Sequence, residues 1–148
     1  MTIPKGTVIP PPGRPSWGGG NDLPLLYLGW GQRDFVKDPL AMHYDLGTNY
    51  YVILRGEVIV TTERSTHPVQ GPVVLLFDPE CAFGISQSRQ ANVEILVWIW
   101  QGQPELSELC PEPGGFLSLG LRSGTVDSLT DLHTRCRNEV ALADSQLP

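Results

Sequence analysis

The strongest signal along the chain is a strand pattern that gives way to a helical one beyond Trp100. Residues 43–60, HYDLGTNYYVILRGEVIV, hold two apolar arms rich in Tyr, Val and Ile, a composition that fits a pleated, half-buried surface. Arg55-Gly56 separates them and predicts a β-hairpin, with Gly56 supplying the positive φ of its turn. Strand period two aims His43, Asp45 and Asn49 at the face that also receives Tyr51 and Ile53, which places a polar pocket there. Residues 73–77, VVLLF, form a continuous apolar run expected to be a strand buried on both faces. In residues 92–100, Val93, Ile95, Val97 and Ile99 share one face, and Glu94, Leu96, Trp98 and Trp100 the other. Both faces are apolar, as in a sheet enclosed by further elements. A first strand is expected over residues 23–30, placed at a sheet edge by Pro24. Residues 31–39 and 62–71, the latter with His67, are polar and expected to be loops, and Asp78-Pro79-Glu80 turns the chain.

Beyond Trp100 the period changes. Residues 103–110 predict a short helix with Pro104 in its first turn, stopped by Pro111, Pro113, Gly114 and Gly115. A longer helix is expected to begin at Thr125 as N-cap, with Asp127 and Asp131 near its N-terminal end and Arg135 and Arg137 further along. Val126, Leu129, His133, Cys136, Val140, Ala143 and Leu147 recur at spacings of three and four. Such a stripe either packs against the strands or forms a short dimer seam. At the other end, residues 1–22 are an arm rich in Pro and Gly that cannot be helical; Trp17 gives it a side chain able to cover a surface, the alternative being a poorly ordered leader.

Composition narrows the class. At 148 residues with 14 Pro and 16 Gly, the chain reads as one turn-rich, mainly β domain. A net charge of -6 makes it a poor partner for nucleic acid or an anionic membrane on its own. Three cysteines, Cys81, Cys110 and Cys136, without a CxxC, indicate neither a disulfide framework nor a zinc site, so a reducing, cytoplasmic setting is expected. No apolar run is long enough for a transmembrane helix.

The order of His-x-Asp, a Tyr-rich strand and a turn glycine in residues 43–56, then Gly71 before an apolar strand and Pro79, then the Trp-bearing strand 93–100, resembles the cupin sensor domain of AraC-type bacterial transcription regulators. Residues 129–140, LTDLHTRCRNEV, look like the helix that follows the barrel there. The resemblance runs from about residue 25 onward and implies a mainly β fold, a cupin-like antiparallel β-barrel of jelly-roll type followed by one or two C-terminal helices. On that basis residues 1–22 are the arm, 23–101 the barrel and 102–148 a linker and helix. It also implies ligand binding and dimerisation, with DNA contacted only through a C-terminal region of two helix-turn-helix motifs. Such a region lies outside this chain, which is therefore expected to be a fragment of a longer regulator.

The departures from the cupin pattern bear on chemistry. Metal-binding cupins place two histidines and a glutamate in the first motif and a histidine in the second. Here the first offers His43, Asp45 and Asn49, and the second, ending near Cys81-Ala82-Phe83-Gly84, has no histidine. Too few ligands are left for a transition metal, so no metal and no cofactor are expected. Nor does any GxSxG, HExxH or phosphate-binding glycine loop occur. The expectation is therefore recognition rather than catalysis. Ligand-binding residues inside the barrel would be His43, Asp45, Asn49, Tyr51, Glu94, Trp98 and Trp100, a mixture of polar groups and flat apolar faces suited to a sugar. Trp17 would act from the arm, and Val126, Leu129, His133, Cys136 and Val140 would be the dimer seam of a homodimeric sensor. A stand-alone cupin enzyme, an isomerase or oxygenase acting on a small molecule such as a sugar, is the alternative.

Overall fold

The structure, a computed structural model, describes residues 3, 14–18, 24–102 and 107–146. Among these described residues, ten strands form two antiparallel sheets that face each other, and a single long helix lies against the outside of the larger one. The strands are β1 (Ser16–Gly18), β2 (Leu25–Arg33), β3 (Leu40–His43), β4 (Thr48–Arg55), β5 (Glu57–Thr62), β6 (Thr66–Gln70), β7 (Val73–Phe77), β8 (Phe83–Ser86), β9 (Val93–Trp100) and β10 (Phe116–Gly120). The larger sheet runs in the order β1-β2-β9-β4-β7-β10 and the smaller β3-β8-β5-β6. A mainly β, barrel-like fold with one C-terminal helix is therefore what the chain adopts.

The two arms of residues 43–60 do not pair with each other, which corrects the hairpin expected there. Strand β4 hydrogen-bonds to β7 and β9, whereas β5 bonds to β6 and β8 in the other sheet. One residue, Gly56, separates them, fewer than a hairpin loop needs, so the chain turns a corner between sheets instead. Gly56 holds a φ of 110°, and a Cβ there would sit 3.0 Å from Val93 Cγ2. The Gly71 amide donates to the Gly56 carbonyl at 2.9 Å and ties the corner down.

Both arms nevertheless feed one interior. Tyr51 and Ile53 from β4 and Val58 and Val60 from β5 join the same buried cluster. Phe77 of β7 and Phe83 of β8 stack across the gap between the sheets, their rings 3.6 Å apart and 7° from parallel. This central stack fills the barrel with apolar mass.

Strands β6, β8 and β10 lie where the sequence predicts loops or says nothing. Thr66–Gln70 pairs along β5 after a turn closed by the Thr62 amide and the Ser65 carbonyl at 2.8 Å. It is the outermost strand of the smaller sheet, with alternate residues exposed, and solvation of one face explains its polar, Pro68-containing sequence. Short β8 is buried between β3 and β5, and β10 pairs with β7. The larger sheet thus takes β1 from the expected arm and β10 from the expected linker. Trp17 in β1 lies opposite Leu28, so this part of the arm folds back onto the domain. Residues 1–2, 4–13 and 19–23, the remainder of the expected arm and the start of the expected first strand, and residues 103–106 of the helix expected over 103–110 lie outside the described residues; what is described of the latter is a 3-10 turn at Ser107–Leu109.

Helix α1 (Ser123–Gln146) starts two residues before the expected cap. The Val126 amide donates to the Arg122 carbonyl at 3.0 Å, so Thr125 is already inside the first turn and Asp127 lies beyond it.

Candidate functional site

The alternation of side chains in β4 and β9 divides the expected site residues between two places. Tyr51 lies opposite Val97, and Asn49 opposite Ile99, on the inner face. Tyr50 lies opposite Trp98 and Thr48 opposite Trp100, one residue out of phase, and the two tryptophans belong to the cluster on the outer face. Glu94, level with Gln32 and Arg55, shares their parity. The expected grouping of Trp98, Trp100 and Glu94 with His43, Asp45, Asn49 and Tyr51 is thus corrected: period two holds, but the sheet puts the apolar odd face of β9 inward and the aromatic face under α1.

The polar residues form a chain bridging the two sheets. His43 ends β3, Asp45 lies in the connection and Asn49 is on β4. His43 Nε2 is 3.0 Å from Asp45 Oδ1, and Asn49 Nδ2 donates to Asp45 Oδ2 at 2.6 Å. His43 Nδ1 contacts the Ala41 carbonyl at 2.9 Å, while its ring leans on Phe83 at 4.8 Å. Burial lowers the His43 pKa, but the hydrogen bond and charge of Asp45 outweigh it, so the imidazolium is favoured and the net shift is upward. Asn49 Oδ1 is buried without a partner among the described residues.

Further along the inner face, Tyr51 is buried, and desolvation drives its phenol pKa upward despite the nearby Arg33. Arg33 is itself buried. Its Nη1 donates to the carbonyls of Trp30 and Gln32, at 3.0 and 3.1 Å, and Nη2 reaches that of Pro15 at 3.4 Å. This inward arginine falls in residues 31–39, whose polar composition predicts a loop; the signal that reveals it is the period-two continuation of β2 past Gly31. Cys81 is buried and its thiol is pushed up to about 11, mainly by desolvation. Among the described residues, no group of three His, Cys, Asp or Glu side chains comes together to hold a metal ion.

On the outer face, α1 presents Val126, Leu129, His133, Cys136 and Val140 of the expected stripe to its own sheet, while Leu147 lies outside the described residues. Leu129, Cys136 and Val140 pack against the cluster containing Trp98, Leu28 and Leu96, which corrects the dimer-seam alternative for these side chains. Val126 is half-buried on the same face, and Ala143 is exposed. His133 is fully buried between two tryptophans, its ring 4.7 Å from Trp98 and 6.0 Å from Trp30, with Nε2 3.2 Å from the Val97 carbonyl. Burial pulls its pKa down to about 4, so it is neutral at physiological pH.

Helix and sheet do not close along their whole length. Towards the start of α1 they leave a groove of about 740 Å³ with Tyr50, Trp98 and Trp100 on the sheet side and Leu129 and Cys136 on the helix side. Arg122 and Thr125 also line it. Its size and mostly apolar lining are those of a small-molecule pocket. Neither Arg122 nor Tyr50 was singled out from sequence; the shared parity of Tyr50 with Trp98 becomes visible only once strand pairing is known.

No protein-family model matches the sequence, and no curated protein matches it. Among solved structures the chain is similar to the crystal structure of apo ToxT from Vibrio cholerae strain SCE256, with a TM-score of 0.55 at 13% identity. The likeness covers 78% of this chain and 48% of that one, so the chain spans about half the length of that protein. At this identity the likeness is one of fold.

Proposed function

We propose that this chain is the small-molecule-sensing domain of an AraC-type transcription regulator, in which ligand binding controls DNA contacts made by a separate helix-turn-helix region. The observation that carries the reading is the pair of facing antiparallel sheets backed by one C-terminal helix, an arrangement similar to the N-terminal domain of ToxT, an AraC-family regulator. A ligand that binds one arrangement of barrel, arm and helix better than another shifts that equilibrium, and α1, the last described element, passes the shift on. The reading is of a binding domain rather than an enzyme, acting in a dimer whose contacts use surfaces other than the buried stripe of α1.

The sugar expected from the sequence depended on Trp98 and Trp100 standing beside Asp45 and Asn49. With the tryptophans on the opposite face, the barrel interior has lost its stacking platforms, and an apolar effector fits the molecule better. The test is thermal unfolding of the chain against monosaccharides, small aromatic acids, and divalent metals with and without chelator. A ligand that binds only the folded state raises the midpoint. A rise with an aromatic acid, and ligand-dependent operator binding when the chain is fused to a paired helix-turn-helix domain, is the expected result. A rise only with metal, abolished by chelator, would overturn it in favour of a cupin enzyme.

A further inference from the structure

Building on the sensing reading, the geometry points to the groove between the outer sheet face and α1 as the binding site for a flat, apolar molecule with one anionic group, such as an aromatic carboxylate. The groove holds about 740 Å³, within the range of small-molecule sites. The barrel interior, by contrast, is occupied by the Phe77–Phe83 stack and its neighbours. Tyr50, Trp98 and Trp100 offer aromatic surface to a planar guest, which gains by offset or edge-on stacking.

Polarity narrows the class further. Among the described lining residues Arg122 is the one charged group, and the hydroxyls of Thr125 and Tyr50 add few hydrogen-bonding partners. A guanidinium pairs with one carboxylate through two parallel bonds, and more strongly beside apolar walls than in open water. A second charge, or the several hydroxyls of a sugar, would be desolvated without partners. Because the chain as a whole carries a charge of -6, the anion gains nothing at long range and its recognition rests on Arg122 at contact distance.

The experiment is isothermal titration calorimetry of the 148-residue chain with naphthoate and with its neutral analogue naphthamide. Saturable naphthoate binding is expected, weakened roughly tenfold or more by Arg122→Gln, as loss of a charge-assisted bond requires. Naphthamide affinity should be unmoved by that change. Thr125→Trp, at an exposed position lining the groove, should abolish binding of both by filling the space, and Leu132→Trp does the same from another exposed lining position should the first variant fail to fold. Asn49→Ala, inside the barrel, should leave both affinities unchanged. No saturable binding up to millimolar naphthoate, or binding that survives groove filling but is lost in Asn49→Ala, overturns the assignment. Groove binding that leaves operator binding by the fused protein unaltered would instead overturn the sensing reading and leave the site standing.

Discussion

His133 of the helix meets Trp98 of the central strand edge-to-face, ring centroids 4.7 Å apart and planes 66° from parallel. The contact buries an imidazole completely, with Nε2 near the Val97 carbonyl and Nδ1 without a hydrogen-bond partner of good geometry among the described residues. Protonation would place an unpaired charge between two indoles and close to Arg137, whose guanidinium lies 5.0 Å from the centre of the Trp30 ring.

Acid should therefore loosen the helix from the sheet. The folded-state pKa of His133, about 4, lies below its unfolded value near 6.5, so the folded state binds fewer protons in between. Its contribution is complete above pH 6.5 and declines as pH falls towards 4, by up to ~1.4 kcal/mol per pH unit. Thermal midpoints measured across this window should show the decline, and His133→Phe should flatten it.

His43 should titrate in the opposite sense. Its raised pKa makes the charged form part of the folded state, so its contribution is complete below the unfolded value and fades as pH rises through the folded one. Proton NMR should place the His43 midpoint above that of a free histidine, and Asp45→Asn should move it down by leaving burial less opposed. Asp45→Ala also removes the acceptor of the buried Asn49 amide and should cost ~1–3 kcal/mol in urea unfolding.

Trp98→Ala should cost ~3–5 kcal/mol, the usual penalty for emptying a large aromatic site in a core. Trp98 is 5% exposed and joins strand to helix, so denaturant unfolding should report the loss directly. A loss under ~1 kcal/mol would show that the helix does not bear on this strand.

Gly56→Ala should destabilise by ~1–3 kcal/mol through its backbone conformation. The φ of 110° disfavours any side chain, and Val93 stands where the methyl would go. Because the corner joins the two sheets, the effect should appear in the global unfolding midpoint rather than as local fraying.

Cys81 should resist thiol reagents in the folded protein, being 2% exposed with a thiol pKa pushed up to about 11. Half-buried Cys110 and Cys136 should react first. Counting labelled thiols before and after denaturation checks this.

Local chemistry was enough to read much of this molecule. The alternation in β9 predicted two buried faces, the spacing of Leu129, His133, Cys136 and Val140 predicted a one-sided helix, and the run Val73–Phe77 predicted a buried strand; all three follow from periods of two and about 3.6 that each segment carries by itself. The sequence of residues 43–49 also contained the members of the polar chain, although not its course from one sheet to the other.

What the period could not choose was which face looks inward, because both faces of β9 are apolar and either one satisfies the hydrophobic effect. That choice came from pairing: β4 and β2 hold Tyr50 and Leu28 level with Trp98, and the helix covers that side. Likewise, the arms around Gly56 carry the same pattern whether they form a hairpin or a corner, and only their partners β7, β9, β6 and β8 decide between them. Edge strand β6, polar because half of it meets water, is recognisable as a strand only beside β5. Local patterning along the chain sets what kind of elements form and which residues must be covered; the contacts between distant segments set what covers them, and thereby leave the open space beside Trp100 and Arg122.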